Sequence, residues 1–362
     1  MKGVVYVLAL VLFAISGASY CNPLAGGDPK AGPAADAAPH ALRPAAAPRG
    51  PGQEASVLYF LSREAGWVVL GADLYATRDG GKSWTPVNRG GVAGVQAILF
   101  VNEKDGWAIR DEWATQRHAN FVLRTRDGGR TWQEALRVGS PVFGLDFFGE
   151  RVGYLKARWE EIQGTVDGGE TWEELVPDNG GDSNLATFEG LHRIYPVGET
   201  EAWGYGAGIW HTADGGQSWQ PVVPDDAVRG RLYSAFFLDR ETGWIVGSGR
   251  QVWRTTDGRT WHKSSGGAAA EAPPDPSAKE PPGELYGVSF NNRAEGWVLG
   301  GDGALLHTTD GGVTWKRLPD PPRRLRALSF TNSREGWAVD EENNLLRTGD
   351  GGSRWEVQRI PT

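Results

Sequence analysis

Short runs of apolar residues, separated by turns rich in Gly, Asp and Asn, follow one another from Val57 to Ile360. One stretch shows the pattern well, with predicted strands at residues 286–290, 297–299, 304–308 and 315–318. Runs this short, rich in β-branched and aromatic residues, predict β-strands, and almost no helical periodicity occurs between them. The pattern therefore predicts an all-β fold in which four strands make up one unit.

A short motif, T-x-D-G-G-x-[ST]-W, recurs between the third and fourth predicted strands of each unit. The fifth copy lacks one residue, and we expect a tightened turn there, not a functional site. The seven copies are marked by Thr77, Asp79 and Trp84, by Thr125, Asp127 and Trp132, by Thr165, Asp167 and Trp172, by Thr212, Asp214 and Trp219, by Thr255, Asp257 and Trp261, by Thr308, Asp310 and Trp315, and by Thr348, Asp350 and Trp355.

A second block of eleven residues precedes each motif. Its fourth place is Phe in six of the seven copies and its last place is Trp in six, with Pro196 and Tyr154 as the exceptions. The units recur at intervals of 40 to 53 residues, and each is too small to bury both of its faces alone, so neighbouring units must stack around a ring. The sequence therefore predicts a seven-bladed β-propeller of four-stranded antiparallel blades.

The Asp of each motif has a structural explanation that we prefer to a catalytic one. An Asp-Gly-Gly turn lets the carboxylate accept backbone N–H groups while the Gly residues take positive φ angles. We expect the motif Trp to open the fourth strand and to pack against the next blade, where its large ring buries apolar area. The seven Asp residues are therefore expected to stabilise the scaffold and to perform no chemistry.

These motifs resemble the Asp-box, or BNR, repeat, which is shared by sialidases, xyloglucan-degrading hydrolases, sortilin-type receptors and a family of photosystem II assembly and stability factors. The block F-x(6)-G-W, in phase with every Asp motif, is most similar to the last of these, the YCF48-like propellers, over about residues 55 to 360. The resemblance implies a non-enzymatic propeller with an arginine-rich surface that contacts a membrane-protein client. Proteins of this type also occur outside photosynthetic cells, so the resemblance does not by itself imply a photosystem.

The N-terminal residues predict export from the cytoplasm. Lys2, an apolar run at residues 4–15 and small residues at 16–19 have the three-part form of a secretory signal peptide, which we place at residues 1–21. Cys21, the single cysteine of the chain, stands where a bacterial lipoprotein carries its lipid, but Tyr20 does not fit the lipobox, and cleavage after Ala18 explains the same residues. Two interpretations stay open, a secreted protein and a lipid-anchored one, in the periplasm, in a lumen or at the outer surface.

Two segments of low complexity accompany the propeller, which we place at residues 56–362. Residues 22–55 are rich in Ala, Pro and Gly and are predicted to be a disordered tether. Residues 264–283 are predicted to be a disordered insert between the fifth and sixth blades. With a single cysteine the chain forms no intramolecular disulfide, so the blades must hold together by packing alone.

Charge and motif content narrow the possible partners. The net charge of −8 at pH 7 and the pI near 5.4 argue against nucleic acid. The sequence contains no phosphate loop, nucleophile elbow or zinc motif, and its six His residues lack the spacing of metal ligands. We therefore expect a monomer without catalytic residue, cofactor or metal, whose partner is a protein or a membrane protein.

Departures from the repeat indicate candidate binding residues, since the repeat itself shows what the scaffold requires. On the face opposite the Asp motifs, the loops at 110–118 and 156–161 each carry a Trp among Arg and Glu residues, and a dense basic run follows at 323–326. Trp and Arg are the usual anchors of binding interfaces, although the two Trp rings could simply cover the rim of the propeller. The predicted partner-binding residues are Arg110, Trp113, Arg117, Arg158, Trp159, Arg250, Arg323, Arg324 and Arg326.

A glycan hydrolase or glycan-binding propeller of the sialidase or xyloglucanase type is the alternative. The segment His192-Arg193-Ile194-Tyr195-Pro196 is similar to the Arg-Ile-Pro element of sialidases, but an extra Tyr interrupts it, and it lies in the fourth unit instead of near the start. A xyloglucanase would need two carboxylates facing each other across a cleft, and the sequence does not show which Asp and Glu residues converge. The sequence therefore favours a propeller that binds a client as an assembly factor or scaffold.

Overall fold

The computed structural model describes residues 55–112, 119–158, 161–175, 190–228, 230–264, 283–319 and 321–360. Within these residues the strands form seven antiparallel sheets of four strands, and in every sheet the strand order follows the chain. This confirms the all-β, seven-bladed β-propeller. The predicted signal peptide with Cys21, the predicted tether up to residue 54 and residues 265–282 of the predicted insert lie outside the described residues.

The first four blades extend from Ala55 to Val223. Blade 1 contains β1 (Ala55–Phe60), β2 (Gly66–Leu70), β3 (Asp73–Thr77) and β4 (Thr85–Asn88), and blade 2 contains β5 (Val95–Phe100), β6 (Gly106–Asp111), β7 (Asn120–Thr125) and β8 (Gln133–Val138). Blade 3 contains β9 (Val142–Phe148), β10 (Val152–Ala157), β11 (Ile162–Thr165) and β12 (Glu173–Glu174), and blade 4 contains β13 (Leu191–Pro196), β14 (Ala202–Gly206), β15 (Ile209–Thr212) and β16 (Gln220–Val223).

The last three blades follow, and the strands bounded from the sequence in the sixth unit agree with β21 to β24 to within one or two residues. Blade 5 contains β17 (Leu232–Phe237), β18 (Gly243–Gly247), β19 (Gln251–Thr255) and β20 (His262–Lys263), and blade 6 contains β21 (Leu285–Phe290), β22 (Gly296–Gly300), β23 (Leu305–Thr308) and β24 (Lys316–Arg317). Blade 7 contains β25 (Leu325–Phe330), β26 (Gly336–Asp340), β27 (Leu345–Thr348) and β28 (Glu356–Gln358).

Helical structure is confined to two short turns in the part of the chain described. The helix α1 (Asp225–Val228) connects blades 4 and 5, and a 3₁₀ turn (Ser248–Arg250) connects β18 to β19. Neither is long and apolar enough to cross a membrane. Apart from these two turns, the regular secondary structure in the described ranges consists of β-strands.

The Asp-motif turn of blade 2 shows what the repeated residues do. The Asp127 carboxylate accepts the Thr125 hydroxyl at 2.8 Å, the Thr131 N–H at 2.9 Å and the Thr131 hydroxyl at 2.6 Å. The Thr125 oxygen accepts the N–H of Gly129 at 2.9 Å. Gly128 and Gly129 have φ angles of 76° and 92°, a region that residues with a Cβ avoid. The motif is therefore a closed hydrogen-bonded turn, as the sequence predicts.

A Trp of the second strand forms most of the joints between blades. Trp67 stacks on Phe100 of the next blade with ring centroids 3.7 Å apart, and its indole N–H donates to the Gly128 carbonyl at 3.2 Å. Trp337 of blade 7 makes the same bond to the Gly80 carbonyl of blade 1 at 3.2 Å. Because the sheets of blades 1 and 7 each use consecutive strands, the ring closes without strand exchange.

The prediction for the motif Trp is wrong in two respects. Trp84 precedes β4 and does not open it, and its ring lies edge-on to Phe60 of its own blade and to Trp337 of the preceding blade, at 6.0 and 5.7 Å. Trp261 likewise lies 5.2 Å from Trp203 of the preceding blade. The physical reason is that the Trp of the preceding blade already crosses the joint, so the motif Trp packs against that ring.

Two Asp-motif turns depart from the others. In the seventh, Arg354 occupies the place of the hydroxyl residue, and its N–H donates to Asp350 at 2.9 Å. The fifth is tightened, as its missing residue predicts, and its single Gly258 donates to both Thr255 Oγ1 at 3.0 Å and the Glu241 carbonyl at 2.9 Å. The indole N–H of Trp203, whose counterparts bond to the next turn, is buried and has no acceptor among the residues that the structure describes. An orphaned donor of this kind costs about 1–3 kcal/mol, so this joint is weaker than the Trp–Gly joints.

The first strands form the inner wall of the ring, where β9 contacts β13 and β17 contacts β21. Each first strand has a β-bulge near its start, because its register against the second strand shifts between its first and third residues. A bulge leaves its extra residue outside the ladder and redirects the side chain. The second residue of every first strand is therefore the one that the sheet pairing constrains least.

Candidate functional site

The face opposite the Asp-motif turns, which we name the channel face, is where first strands begin and second strands end. Every predicted binding residue that the structure describes lies there: Arg110, Arg158, Arg250, Arg323, Arg324 and Arg326. Trp113, Arg117 and Trp159 lie outside the described residues. The structure therefore places the predicted arginines on one face but distributes them between blades 2 and 3 and blades 5 to 7.

Arg110 belongs to strand β6 and not to the loop in which the sequence places it. The bulge at the start of β5 and the pairing of β6 with β7 extend the strand as far as Asp111. The Arg110 guanidinium lies 2.7 Å from Glu112 and 2.6 Å from Glu134, and it covers the ring of Phe121. Arg110 therefore ties β6 to β8 within its own blade.

Arg158 directly follows β10 and is exposed on the channel face. Its backbone N–H donates to the carbonyl of Pro141 at 2.9 Å, which fixes the end of β10 against the start of the same blade. Nearby, the Ser140 hydroxyl donates to Glu161 at 2.8 Å. The backbone at Arg158 is thus anchored while its side chain reaches solvent.

Arg250 joins blades 5 and 6. Its φ of 56° lies in the left-handed region, which turns the side chain toward blade 6, and its guanidinium lies 2.7 Å from the Asp302 carboxylate. Arg317 approaches the same carboxylate at 3.4 Å. Both partners of the first pair are largely buried, with side chains 16% and 12% exposed, so the pair is shielded from salt more than a surface pair is.

The run at 323–326 lies against acidic residues of blade 7 and the turn at 300–303. Arg324 donates to the Gly301 carbonyl and lies 3.5 Å from Glu341. Arg323 pairs with Glu342 and lies 3.7 Å from Asp340. Burial lowers the pKa of Arg326, and the neighbouring Asp340 offsets part of that shift.

The basic run predicted from the sequence is consequently not a bare positive patch. Four carboxylates face the five guanidinium groups of this region, which we name the blade 5–7 cluster; it consists of Arg250, Arg317, Arg323, Arg324, Arg326, Asp302, Asp340, Glu341 and Glu342. Arg250 and Arg324 reach the same turn at 300–303, which brings the two predicted groups of arginines together.

The sequence analysis missed a row of side chains at the mouth of the channel. The bulged second residues of four successive first strands are aromatic or imidazole, and we name them the aromatic arc: Phe143, His192, Tyr233 and Tyr286. All four are half-buried. The rings of Phe143 and His192 lie 6.1 Å apart and those of Tyr233 and Tyr286 lie 5.1 Å apart. Gln96 and Arg326 occupy the same place in blades 2 and 7.

The channel wall beside the aromatic arc is charged. Burial lowers the pKa of His192 to about 4, and the nearby cations Arg231, Lys156 and Arg193 act in the same direction. Burial raises the pKa of Asp146 to about 7, although Arg193 opposes that rise. The pKa of Tyr205 is also raised by burial. The arc therefore borders the Arg193 and Arg231 guanidinium groups and the buried Lys156, beside a carboxyl whose pKa is raised by burial.

The arc could have been found by aligning the seven first strands on the recurring block and comparing the residue just before it. The recurring block that the sequence analysis defined begins at the third residue of each first strand, so the bulged residue stands one place before it. Its neighbours Leu191, Leu232 and Leu285 are buried aliphatic residues, whereas the bulged positions are polar or aromatic. Among the described residues no group of three His, Cys, Asp or Glu side chains could hold a metal ion.

Comparisons with known proteins agree with the repeat. The family model described as Photosynthesis system II assembly factor YCF48 matches residues 225–328. The Photosystem II assembly lipoprotein Ycf48 of Synechococcus sp. (strain CC9902) is 35% identical over 83 residues, 23% of this chain. That segment spans only 22% of the length of the curated relative.

Solved structures match over most of the chain. A structure of YCF48 bound to D1 peptide has a TM-score of 0.55 at 20% identity, covering 83% of this chain and 94% of that one. A GH74 xyloglucanase from Xanthomonas campestris has a TM-score of 0.61 at 14% identity, covering 86% of this chain and 55% of that one. At these identities the structural matches show the fold alone. The chain therefore has the fold of a seven-bladed β-propeller, and its residues 225–328 are similar in sequence to YCF48 assembly factors.

Proposed function

We propose that the protein is a non-enzymatic assembly factor or scaffold that binds a protein or membrane-protein client through its channel face. One observation carries the proposal: the segment matched by the family model, 225–328, contains Arg250, Arg323, Arg324 and Arg326, which meet in the blade 5–7 cluster. The curated relative is named as an assembly lipoprotein of photosystem II, and one similar structure contains a D1 peptide. Both names support a protein client for this chain.

The ion pairs of the cluster suit it to binding. A guanidinium carries five N–H donors in a rigid fork, so an arginine that already bonds to one carboxylate keeps donors for a second. The internal pairs also hold each side chain in one orientation, which reduces the entropy lost on binding. The client surface would therefore meet arginines that are already positioned, and its carboxylates or carbonyls would complete their bonds.

Blades 2 and 3 supply a second candidate contact area. Arg110 and Arg158 lie on the channel face there, next to the segments that contain Trp113, Arg117 and Trp159. Trp and Arg side chains contribute most to binding energy in many interfaces. We include these five residues in the proposed client surface on that basis.

Two carboxylates of the channel face, Asp302 and Asp340, serve the scaffold. Asp340 accepts the N–H groups of Glu342 and Asn344 at 2.9 and 2.7 Å, and Asp302 faces two arginines. A glycosidase needs a pair of carboxyl groups facing each other across a substrate, with at least one able to release a proton. Asp302 and Asp340 are instead each engaged in closing a turn or a joint.

A photo-crosslinking residue at Glu341, which is exposed beside Arg324, tests the proposal in cells. We expect adducts with a defined membrane protein, and we expect Arg324→Ala to reduce them. The control is the same residue at Arg240, which is exposed on the Asp-motif face. Equal adducts from both faces would contradict the proposal, as would turnover of fluorogenic sialosides or xyloglucan oligosaccharides by the purified protein.

We further propose that the propeller works outside the cytoplasm and that Cys21 anchors it to a membrane through a lipid. The signal-like residues 1–21 support export, and the name of the curated relative as a lipoprotein supports the anchor. Membrane fractionation of a Cys21→Ser variant tests this. The anchor predicts that the variant moves to the soluble fraction, and a variant that still sediments with membranes would refute it.

A further inference from the structure

Five of the seven joints between blades share one hydrogen bond. In each of them, the indole N–H of a second-strand Trp donates to the carbonyl of the first Gly in the next Asp-motif turn, at 2.8 to 3.2 Å. The pairs are Trp67 with Gly128, Trp107 with Gly168, Trp244 with Gly311, Trp297 with Gly351, and Trp337 with Gly80. Among the residues that the structure describes, the two joints without this bond both belong to blade 4, at residues 191–223.

The joint between blades 3 and 4 uses different side chains. Tyr154 stands in the place of the Trp, and its Cε1 atom lies 3.2 Å from where a Cβ on Gly216 would be. Pro196 stands in the place of the Phe on which the Trp rings stack at four other joints, with centroids 3.5 to 3.7 Å apart. At the closing joint the rings of Trp337 and Phe60 are also apart, at 6.1 Å, but the hydrogen bond remains. The joint between blades 3 and 4 therefore has neither the ring stack nor the indole donor.

The joint between blades 4 and 5 keeps the Trp and the Phe but not their contacts. The fifth Asp motif has a single Gly, Gly258, and the buried indole N–H of Trp203 has no acceptor in the part of the chain described. The rings of Trp203 and Phe237 are nearly parallel, at 13°, but their centroids are 6.5 Å apart. Arg240 pairs with Glu201 across this joint at 2.7 Å, but both side chains reach solvent, and such a pair contributes little stability. Blade 4 thus lacks the usual contacts on both of its sides.

The channel side of the joint between blades 3 and 4 is also charged. Asp146, Lys156 and Arg193 each stand at a place where the other six blades carry no charged residue. Lys156 is buried and donates to the Ala157 carbonyl at 2.7 Å, and the stem of Arg193 lies 3.5 Å from where a Cβ on Gly144 would be. The desolvation of buried charges offsets their attraction, and charged groups regain water when a joint separates. Separation therefore costs less free energy here than at an apolar joint.

We propose that blade 4 is the point at which the ring opens, its four strands separating from blades 3 and 5 and unfolding as one unit while the other six blades stay folded. A single blade cannot bury both of its faces, so a separated blade loses its strand pairing. Proteins open locally in cooperative units of this kind, at free energies below that of global unfolding. The opened ring exposes Asp146 and Arg193 of the channel wall to solvent. This opening goes beyond the proposed function, because it concerns the ring itself and needs no client.

Hydrogen exchange of the full-length protein, followed by mass spectrometry in low concentrations of urea, measures the opening of each blade. We expect the amides of β14 and β15, the central strands of blade 4, to exchange about tenfold faster than those of β2 and β3 in blade 1 or β22 and β23 in blade 6, each relative to its intrinsic rate. Insertion of one Gly after Gly258 supplies a carbonyl for the Trp203 indole N–H. The insertion should slow exchange in blade 4 about fivefold and leave blade 1 unchanged.

Trp67→Phe and Trp203→Phe form a matched pair, because each removes the same atoms from a buried second-strand Trp. Trp67→Phe also breaks the bond to the Gly128 carbonyl, whereas Trp203→Phe removes a donor that has no acceptor within the described ranges. We expect Trp67→Phe to accelerate exchange of β2 about fivefold more than Trp203→Phe accelerates exchange of β14.

Exchange in blade 4 that is no faster than in blades 1 and 6 would overturn the inference. Equal acceleration in the two Phe variants would do the same, and this comparison holds even if the Gly insertion prevents folding. If the insertion slows exchange in all blades together, the ring opens only by global unfolding, and blade 4 is not a separate unit.

Discussion

The Asp-motif face and the channel face are built from the same seven blades, yet they follow different rules. On the Asp-motif face, one set of hydrogen bonds recurs almost unchanged, so that Asp79, Asp127 and Asp310 make the same bonds. On the channel face, the bulged position changes from blade to blade, from Gln96 through Tyr233 to Arg326. The difference separates what the ring needs in order to fold from what it can vary for binding.

The cause is the role of each position in the hydrogen-bonded framework. An Asp-motif carboxylate closes its turn, so its loss frees several donors at once. A bulged residue makes no ladder bond, so its side chain can change at little cost to the sheet. Binding residues are therefore expected at positions where the fold tolerates many different side chains. The following experiments test this expectation.

Lowering the pH should cause the largest loss of stability, because it protonates the carboxylates of all seven Asp motifs together. The bonds from Ser83 lower the pKa of Asp79 from 3.8 to about 2, and the pKa values of the other six are lowered as well. A carboxylate with a lowered pKa contributes stability above its ordinary pKa and loses it as the pH falls toward the folded value. We expect the urea midpoint to fall steeply from about pH 4 to about pH 2.

The channel wall predicts a change in stability with pH of opposite sign. Asp146 has a raised pKa of about 7, so its contribution is present below about pH 4 and is lost as the pH rises through 7. Asp146→Asn should therefore remove a decline in stability between these values and leave the acid limb unchanged. An acid limb that is flat, or that Asp146→Asn abolishes, would contradict the distinction between the two faces.

Trp337→Ala should be the most damaging single substitution. It removes a buried ring and the hydrogen bond that closes blade 7 onto blade 1, and truncation of a buried Trp costs about 3–5 kcal/mol. Trp67→Ala at an internal joint is the matched control and should cost a similar amount by urea denaturation. A much smaller effect at Trp337 would show that the ring is not closed in solution.

Asp127→Ala and Asp310→Ala should each destabilise the protein by about 1–2 kcal/mol, because each leaves the donors of one turn without their acceptor. The two values should agree with each other, as the equivalent bonds require. Arg231→Ala on the channel face should stay within about 0.5 kcal/mol of the wild type. Equal losses on both faces would remove the contrast between scaffold and binding positions.

Insertion of one Gly after Gly258 should change stability in the opposite direction. The insertion restores a complete Asp-Gly-Gly turn and a carbonyl for the orphaned indole N–H of Trp203. We expect a gain of about 1 kcal/mol in the free energy of unfolding, measured by urea denaturation. A loss would mean that the short turn is accommodated elsewhere in the joint between blades 4 and 5.

The sequence predicted the scaffold well because each blade repeats one set of short-range contacts. Thr125, Asp127 and Thr131 lie within seven positions of one another, so their bonds can be deduced from spacing. The partners of Arg250 and Arg324 could not be deduced in this way, because Asp302 and Glu341 lie on neighbouring blades or strands. The direction in which Trp84 packs depends likewise on contact with Trp337 at the other end of the chain.

The way in which the ring closes has a consequence for the chain ends. Ile360 lies in the same buried cluster as Leu58, so the last residues of blade 7 rest against the first strand of blade 1. The joint from Trp337 to Gly80 uses the same contacts as the internal Trp–Gly joints, so the closing joint has no special mechanical role among them. A circularly permuted chain, linked from blade 7 to blade 1 and opened between any other two blades, should assemble the same ring.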